Sequence, residues 1–129
     1  MTILHDTSVI IDALRERRGR HKFLDERKQA GDTLACSAVT VAEVYAGMRP
    51  AEAVATDALI ESVECIEVTQ DIARRAGNLK YSWQRKGMTI NIPDAIVAAT
   101  SLNLGLYLAT DNVRDFPMPE LNHFTLPTT

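Results

Sequence analysis

The fold is decided by the stretch Ile3-Leu4-His5-Asp6-Thr7-Ser8-Val9-Ile10-Ile11-Asp12-Ala13-Leu14. A short apolar run over 2–5 ends at an acid, Asp6, and Thr7 or Ser8 then stands where it can cap a helix. Apolar residues through Leu14 continue that helix. The stretch therefore predicts a strand, an acidic turn and a helix, the opening unit of a parallel α/β sheet.

The same alternation of short strands and helices continues along the chain. Further strands are predicted over 33–36, 65–68, 106–109 and 124–126, the last as an edge strand. Further helices are predicted over 21–30, 38–48, 52–62, 69–87 and from Asp94 to Gly105. This alternation predicts a three-layer α/β/α sandwich with a short, mostly parallel central sheet. A chain of 129 residues is expected to form a single domain, 1–129.

Composition is that of an ordinary globular protein. The chain is 46% hydrophobic with a net charge of −3, which argues against a surface-wide basic nucleic-acid binder. No apolar run approaches the roughly 20 residues of a membrane span, and nothing resembles a signal peptide. We therefore expect a cytoplasmic protein without a membrane anchor. Cys36 and Cys65 lie in apolar stretches and are expected to be buried thiols without a disulfide.

Positive charge is concentrated in residues 15–22, which carry five cationic side chains against one acid. The run follows directly on the first predicted helix and contains Gly19, which is expected to break it. Two interpretations of the run stay open: a solvated helix end, or a contact with a phosphate backbone.

Acidic side chains recur where the predicted elements begin or end. Asp6 ends the first strand, Asp111 follows the strand 106–109, and Asp94 opens a helix. Glu43 lies on a helix among small and apolar neighbours. Taken singly, Asp94 is explained as a helix cap and Glu43 as a solvent-facing side chain. Together they are expected to converge beyond the carboxyl ends of the strands, and converging carboxylates suit a hard divalent cation.

Four segments resemble, in order, the motifs of PIN-domain ribonucleases, in particular the toxins of VapBC toxin–antitoxin pairs. The first is residues 3–12, quoted above. The others are Ser37-Ala38-Val39-Thr40-Val41-Ala42-Glu43, Ile92-Pro93-Asp94-Ala95-Ile96-Val97-Ala98-Ala99 and Leu108-Ala109-Thr110-Asp111-Asn112-Val113-Arg114-Asp115-Phe116. The resemblance covers nearly the whole chain. It implies a PIN-like nuclease domain that hydrolyses RNA with Mg²⁺ or Mn²⁺.

The resemblance also implies roles for individual acids. Asp6 and Asp94 are expected to be the principal metal ligands, with Glu43 as a ligand or a water orienter. Many relatives have Asp where this chain has Asn112, so another acid would have to complete the site. The expected catalytic residues are then Asp6, Glu43, Asp94 and Asp115, with Asp111 as an additional metal ligand, and the resemblance leaves open which of Asp111 and Asp115 completes the site.

Polar residues next to these acids are expected to contact the substrate phosphate or the ligating carboxylates. They are Thr7, Ser8, Thr110 and Asn112. His5 stands where relatives have an aliphatic residue. In an alternating strand it points away from Asp6, so we expect a structural or partner-facing role for it.

The resemblance further implies partners. A toxin of this kind would have an RNA substrate, a cognate antitoxin that inserts a peptide into the active-site groove, and a homodimeric state, or a heterotetramer or larger assembly with the antitoxin. The alternative is a non-catalytic or degenerate PIN-like binding module acting through protein partners, and Asn112 leaves room for it. An Asp-x-Asp phosphatase is disfavoured because Ser8 stands at the second Asp position.

Overall fold

The computed structural model of the protein describes residues 1–128. Its strands are β1 (Thr2–His5), β2 (Thr33–Ser37), β3 (Glu64–Ile66), β4 (Tyr107–Ala109) and β5 (Asn122–His123). Its helices are α1 (Thr7–Leu14), α2 (Arg20–Gln29), α3 (Ala38–Ala46), α4 (Ala53–Ser62), α5 (Gln70–Arg85) and α6 (Ile92–Leu104). Short 3₁₀ turns occupy Pro50–Glu52 and Val113–Asp115.

The five strands form one sheet in the order β3-β2-β1-β4-β5, and every neighbouring pair is parallel. In the central strand, Leu4 pairs with Ala35 of β2 on one side and with Leu108 of β4 on the other. The predicted α/β sandwich with a parallel central sheet is therefore confirmed.

Each face of the sheet is covered by its own set of helices. Leu4 and Leu108 pack into a core with residues of α5 and α6, such as Ile72 and Val97. The opposite face carries a second core, built from Val9, Ala13, Phe23, Leu24, Leu34, Cys36 and Val63. Since side chains alternate along a strand, β2 supplies both cores, with Ala35 in the first and Leu34 and Cys36 in the second, which explains why this strand is apolar almost throughout.

The two edge strands lie slightly earlier in the chain than predicted. The last strand is Asn122–His123, so the prediction of a strand over 124–126 was wrong. Its neighbour β4 is only three residues long, and β5 pairs with Tyr107 and Leu108 before the chain leaves the sheet. Likewise β3 covers Glu64–Ile66, where it faces the end of β2. The length of each edge strand is thus limited by the residues of the neighbouring strand with which it can pair.

Helix α6 begins two residues before the predicted start at Asp94. Asn91 is its N-cap, and the Asn91 side-chain oxygen accepts a hydrogen bond of 2.8 Å from the Asp94 backbone N–H. Pro93 fits the first turn, because backbone N–H groups there have no partner within the helix. Asp94 consequently lies inside the first turn, where the helix dipole favours a negative charge.

The two cysteines face each other in the sheet but differ in exposure. Cys36 of β2 pairs in register with Cys65 of β3, and both thiols are free. Cys36 is buried, as predicted. The expectation of a buried Cys65 was wrong, because β3 is the outermost strand and leaves that side chain exposed. Among the helices of residues 1–128, none is long and apolar enough to cross a membrane.

Candidate active site

The site lies where the strand order of the sheet changes direction. From β1 the chain proceeds to β2 and β3 on one side, and it then returns to place β4 on the other side of β1. In parallel sheets, such a switch point leaves a crevice at the carboxyl ends of the two strands. The Asp6 backbone N–H donates to the Ala109 carbonyl at 2.9 Å, which holds the ends of β1 and β4 side by side.

Asp6 is fixed by hydrogen bonds to both of its carboxylate oxygens. The Thr7 backbone N–H donates to Oδ1 at 2.8 Å, and the Thr110 hydroxyl donates to Oδ2 at 2.8 Å. The side chain is only 5% exposed, so these bonds compensate for the burial of its charge. A carboxylate has about four lone-pair positions, and each Asp6 oxygen retains capacity for a cation.

Glu43 is joined to the site through hydroxyl groups. The Thr7 hydroxyl donates to Glu43 Oε1 at 2.7 Å and lies 3.1 Å from the hydroxyl of the buried Thr40. A hydroxyl has a single hydrogen. If Thr7 donates that hydrogen to Glu43, Thr40 must donate to Thr7. The three side chains therefore form one directed chain, Thr40 to Thr7 to Glu43.

Four carboxylates come close enough to affect each other's ionisation. The pKa of Asp94 rises to about 6, chiefly through burial and further through the negative charges of Asp6, Asp115 and Glu43. The pKa of Asp6 is also raised by burial, against the lowering effect of Thr110 and Thr7, and again by Glu43 and Asp115. Asp6, Glu43, Asp94 and Asp115 thus share one acidic site, although they belong to four separate segments.

Asp111 lies apart from this cluster. Its carboxylate is 2.6 Å from the Arg20 guanidinium and 3.4 Å from that of Arg18. Arg20 is itself 4% exposed and also donates to the Pro127 carbonyl at 3.1 Å. The ion pair with Asp111 thus ties the start of α2 to the segment after β4, and the bond to Pro127 ties it to the last residues described. Among the acids predicted as metal ligands, Asp111 alone has a close cationic partner in residues 1–128.

Sequence reasoning missed three residues of this region: Thr40, Asn91 and Arg20. Arg20 was overlooked because it lies within a run of cations. Its burial could have been inferred, because Phe23 and Leu24 follow it at the spacing of one helix face. Both of these residues are buried, and Arg20 shares their side of α2. The interpretation of residues 15–22 as a solvated helix end is therefore wrong for Arg20.

The four polar neighbours of the acids differ in what they contact. Thr7 and Thr110 bond to Glu43 and Asp6, as given above. Asn112 acts through its backbone, whose N–H donates to the Thr110 hydroxyl at 3.0 Å. The Ser8 hydroxyl is buried and has no hydrogen-bond partner in the described part of the chain.

The donor chemistry of the site suits a hard divalent cation, because every group in it is a carboxylate or a hydroxyl oxygen. As arranged, no three His, Cys, Asp or Glu side chains among residues 1–128 are close enough to hold one ion together. Glu43 and Asp115, the more exposed of the four acids, would have to turn toward Asp6 and Asp94 to share an ion with them.

A parallel α/β protein with clustered acids at its switch point is the class that this fold and site define. The PIN domain family model matches residues 3–117. Ribonuclease VapC19 of Mycobacterium tuberculosis is 35% identical over 119 residues, which cover 92% of this chain and 95% of the relative. The chain therefore belongs to the PIN-domain family, and within it to the VapC ribonucleases.

Two solved structures extend the comparison. A toxin–antitoxin complex from Klebsiella pneumoniae is similar with a TM-score of 0.74 and 28% identity, over 92% of this chain and 94% of that one. VapBC2 from Rickettsia felis, bound to a DNA fragment from its promoter, gives a TM-score of 0.84 over 96% of this chain and 98% of that one. At 19% identity, the second similarity establishes the fold alone.

Proposed function

We propose that this protein is a divalent-metal-dependent endoribonuclease that acts as the toxin of a toxin–antitoxin pair and hydrolyses RNA phosphodiester bonds. The observation that carries the proposal is the convergence of Asp6, Glu43, Asp94 and Asp115 at the switch point of the sheet. Its relative VapC19 is named a ribonuclease, and it aligns over almost the whole chain.

We assign the cation, Mg²⁺ or Mn²⁺, chiefly to Asp6 and Asp94, with Glu43 and Asp115 completing its surroundings. When bound, such an ion supplies polarisation of the phosphoryl oxygen and activation of a water. Asp111 is the weaker candidate of the two acids after β4, since Arg20 already neutralises it at 2.6 Å. Asp115 is exposed and free to turn toward the phosphate.

The protein's own groups hold and orient the acids. Thr110 and the Thr7 backbone fix the plane of the Asp6 carboxylate, and the Thr7 hydroxyl fixes Oε1 of Glu43. In the cation-free protein, the pKa of Asp94 is about 6, so its carboxylate exchanges a proton close to neutral pH. With the ion bound, a carboxylate beside it would have to accept the proton of the attacking water, and we assign that role to Glu43.

The partners we propose are an RNA substrate and a cognate antitoxin. The similarity to the Klebsiella pneumoniae toxin–antitoxin complex, at 28% identity, supports the antitoxin. A homodimer is proposed from the family resemblance alone, and light scattering coupled to size-exclusion chromatography would test it. A cytoplasmic location likewise stays a prediction.

The decisive experiment incubates the purified protein with a structured RNA in Mn²⁺ and compares it with Asp6→Asn and Asp94→Asn. We expect cleavage by the wild type and its loss in both variants, because each removes a ligating charge. Asp25→Asn, on the exposed surface of α2, is the matched control and should cleave like the wild type. Equal cleavage by wild type and both active-site variants would identify a contaminating nuclease and leave the non-catalytic alternative.

A further inference from the structure

A cavity of about 640 Å³ adjoins the carboxylate cluster. Thr110 belongs to both, because its hydroxyl bonds to Asp6 while its side chain also lines the cavity. The cavity continues along the segment after β5, past Phe124, and its opposite side carries Arg18 and Arg20. Nothing in the mechanism above uses this space.

Within the described part of the chain, Arg18 differs from Arg15 and Arg20 because its guanidinium makes no hydrogen bond that serves the fold. Arg15 hydrogen-bonds to Glu52 and Arg20 to Asp111, so both serve the fold. In residues 1–128 the Arg18 guanidinium makes no hydrogen bond, and its nearest acids, Asp111 and Asp12, lie at 3.4 and 3.8 Å. Its side chain is 59% exposed. Arg18 is therefore a cation available to a ligand in the cavity.

The backbone of the loop that carries Arg18 is strained. Arg18 has a φ of +56° and Glu16 a φ of +52°, values that non-glycine residues rarely adopt. Such a conformation is unfavourable and persists only where the surroundings impose it. Here the buried Arg20, two residues on, anchors the loop to Asp111 and Pro127. The same anchor thereby holds Arg18 at the edge of the cavity.

The rest of the cavity wall offers apolar surface. Val113 lies on the 3₁₀ turn that also carries Asp115 and is 53% exposed, although it is a large aliphatic residue. Phe124 also lines the cavity and is half-buried. A nucleobase presents two apolar faces and a polar edge, and it packs on side chains of this kind.

We propose that this cavity binds the nucleotide of single-stranded RNA that neighbours the scissile phosphodiester, with Arg18 holding its phosphate and Val113 and Phe124 contacting its base. The proposal rests on the function proposed above and names the part of the substrate that the cavity takes. A polyanion approaching four carboxylates needs positive charge beside them. Arg18 supplies it, since a guanidinium fork matches a phosphate in charge and geometry.

The test measures RNA binding without turnover. A fluorescein-labelled single-stranded RNA octamer of randomised sequence is titrated with protein in EDTA and followed by fluorescence anisotropy. Arg18→Gln should raise the Kd about fivefold and reduce the slope of log Kd against log salt by about 0.7, the value of one lost phosphate contact. Arg17→Gln removes the same charge one residue away and outside the cavity wall, and it should change the Kd less than twofold.

A second variant separates binding from folding. Arg18→Gly removes the side chain at a φ that glycine adopts freely, so it should fold at least as well as the wild type and bind RNA as weakly as Arg18→Gln. Equal effects of Arg17→Gln and Arg18→Gln, or normal RNA binding by Arg18→Gly, would overturn the proposal. Weakened antitoxin binding with unchanged RNA binding would assign the cavity to the antitoxin instead.

Binding in EDTA is independent of cleavage, so the two proposals fail separately. If Arg18 variants bind normally while wild type still cleaves RNA in Mn²⁺, only the cavity assignment is lost. If wild type cleaves no RNA and Arg18 variants still bind it weakly, the endoribonuclease assignment is lost instead.

Discussion

His5 stands directly before Asp6 and is fully buried against α2, with its ring 6.1 Å from that of Phe23 in an edge-on arrangement. Neither ring nitrogen has a hydrogen-bond partner in residues 1–128. Burial without a partner lowers the pKa of His5 to about 4, so the ring is neutral at physiological pH. The side chain acts here as an apolar group with two unsatisfied nitrogens, which is a cost to the fold.

Replacing His5 by leucine should remove that cost. At pH 7 we expect a free energy of unfolding for His5→Leu equal to or above that of the wild type. Between pH 6.5 and about 4 the unfolded wild type binds a proton that the folded form does not. The free energy of unfolding of the wild type therefore decreases by about 3 kcal/mol as the pH is lowered through this range. The variant lacks this loss. Urea unfolding at pH 4.5, 5.5 and 7 measures it, and parallel pH profiles for the two proteins would contradict the prediction.

Thr40 touches no acid, yet it directs the hydroxyl that does. With Thr40→Val, the Thr7 oxygen loses the hydrogen bond that fixes its position, so the Thr7 hydroxyl holds Glu43 less firmly. We expect RNA cleavage to fall about tenfold through kcat, with KM little changed, as is usual when a partner of a ligating group is lost. Thr40→Ser restores the hydroxyl and should restore the rate. Equal activity of the Val and Ser variants, at equal thermal stability, would exclude this role.

Elements with local signals were predictable, and elements that depend on distant partners were not. The strand β1, the turn at Asp6 and helix α1 follow from adjacent residues, and the structure has them as expected. The limits of β5 depend on how far β4 extends, which no residue in 122–126 reveals. The start of α6 depends on one hydrogen bond from Asn91, and the burial of Arg20 depends on an acid 91 residues away.

The same distinction between local signals and distant partners applies to the candidate site. The sequence motifs led us to expect Asp6, Glu43, Asp94 and Asp115 in one site, and their electrostatic influence on one another places them close together, while their catalytic roles stay predictions. The motifs left the choice between Asp111 and Asp115 open, because it depends on which of them faces α2. In the structure, Asp111 is ion-paired with Arg20, while the negative charge of Asp115 contributes to the raised pKa of Asp94.

The ion pair between Arg20 of α2 and Asp111 after β4 leads to different predictions for Asp111 and Asp115. Asp111→Asn leaves the buried Arg20 without its counter-ion and should lower the free energy of unfolding by about 3 kcal/mol. Asp115→Asn is expected to leave stability within about 0.5 kcal/mol, since the residue is exposed, and to abolish most RNA cleavage. Thermal unfolding and cleavage assays on both variants measure this, and the reverse pattern would exchange their roles.

On the scale of the whole molecule, the clustering of four carboxylates destabilises the folded protein when no cation is bound. Four acids face one crevice, and burial together with their mutual repulsion raises the pKa of Asp94 and of Asp6. The remaining acids are dispersed, several of them in pairs such as Arg15 with Glu52. A ligand that neutralises the crevice therefore stabilises the folded chain alone, because the unfolded chain has no such cluster.

Mg²⁺ or Mn²⁺ should accordingly raise the melting temperature. At a concentration of 100 Kd the stabilisation is about 3 kcal/mol, which corresponds to roughly 10 °C for a chain of this length. At pH 5 the shift should be smaller than at pH 7.5, because a proton on Asp94, with its pKa of about 6, competes with the ion. Asp6→Asn should abolish the shift. Differential scanning fluorimetry tests this, and an unchanged midpoint with either ion would remove the metal site.

The pairing of β1 with β4 bears on when the acidic site forms during folding. Ile3 lies beside Tyr107, and such remote partners meet late in folding, since the intervening chain must first be brought into order. Asp6 and Asp115 become neighbours only once β4 has joined β1. We therefore expect a nascent polypeptide that has not reached residue 115 to lack the assembled acidic site, and RNA cleavage to begin only after this pairing.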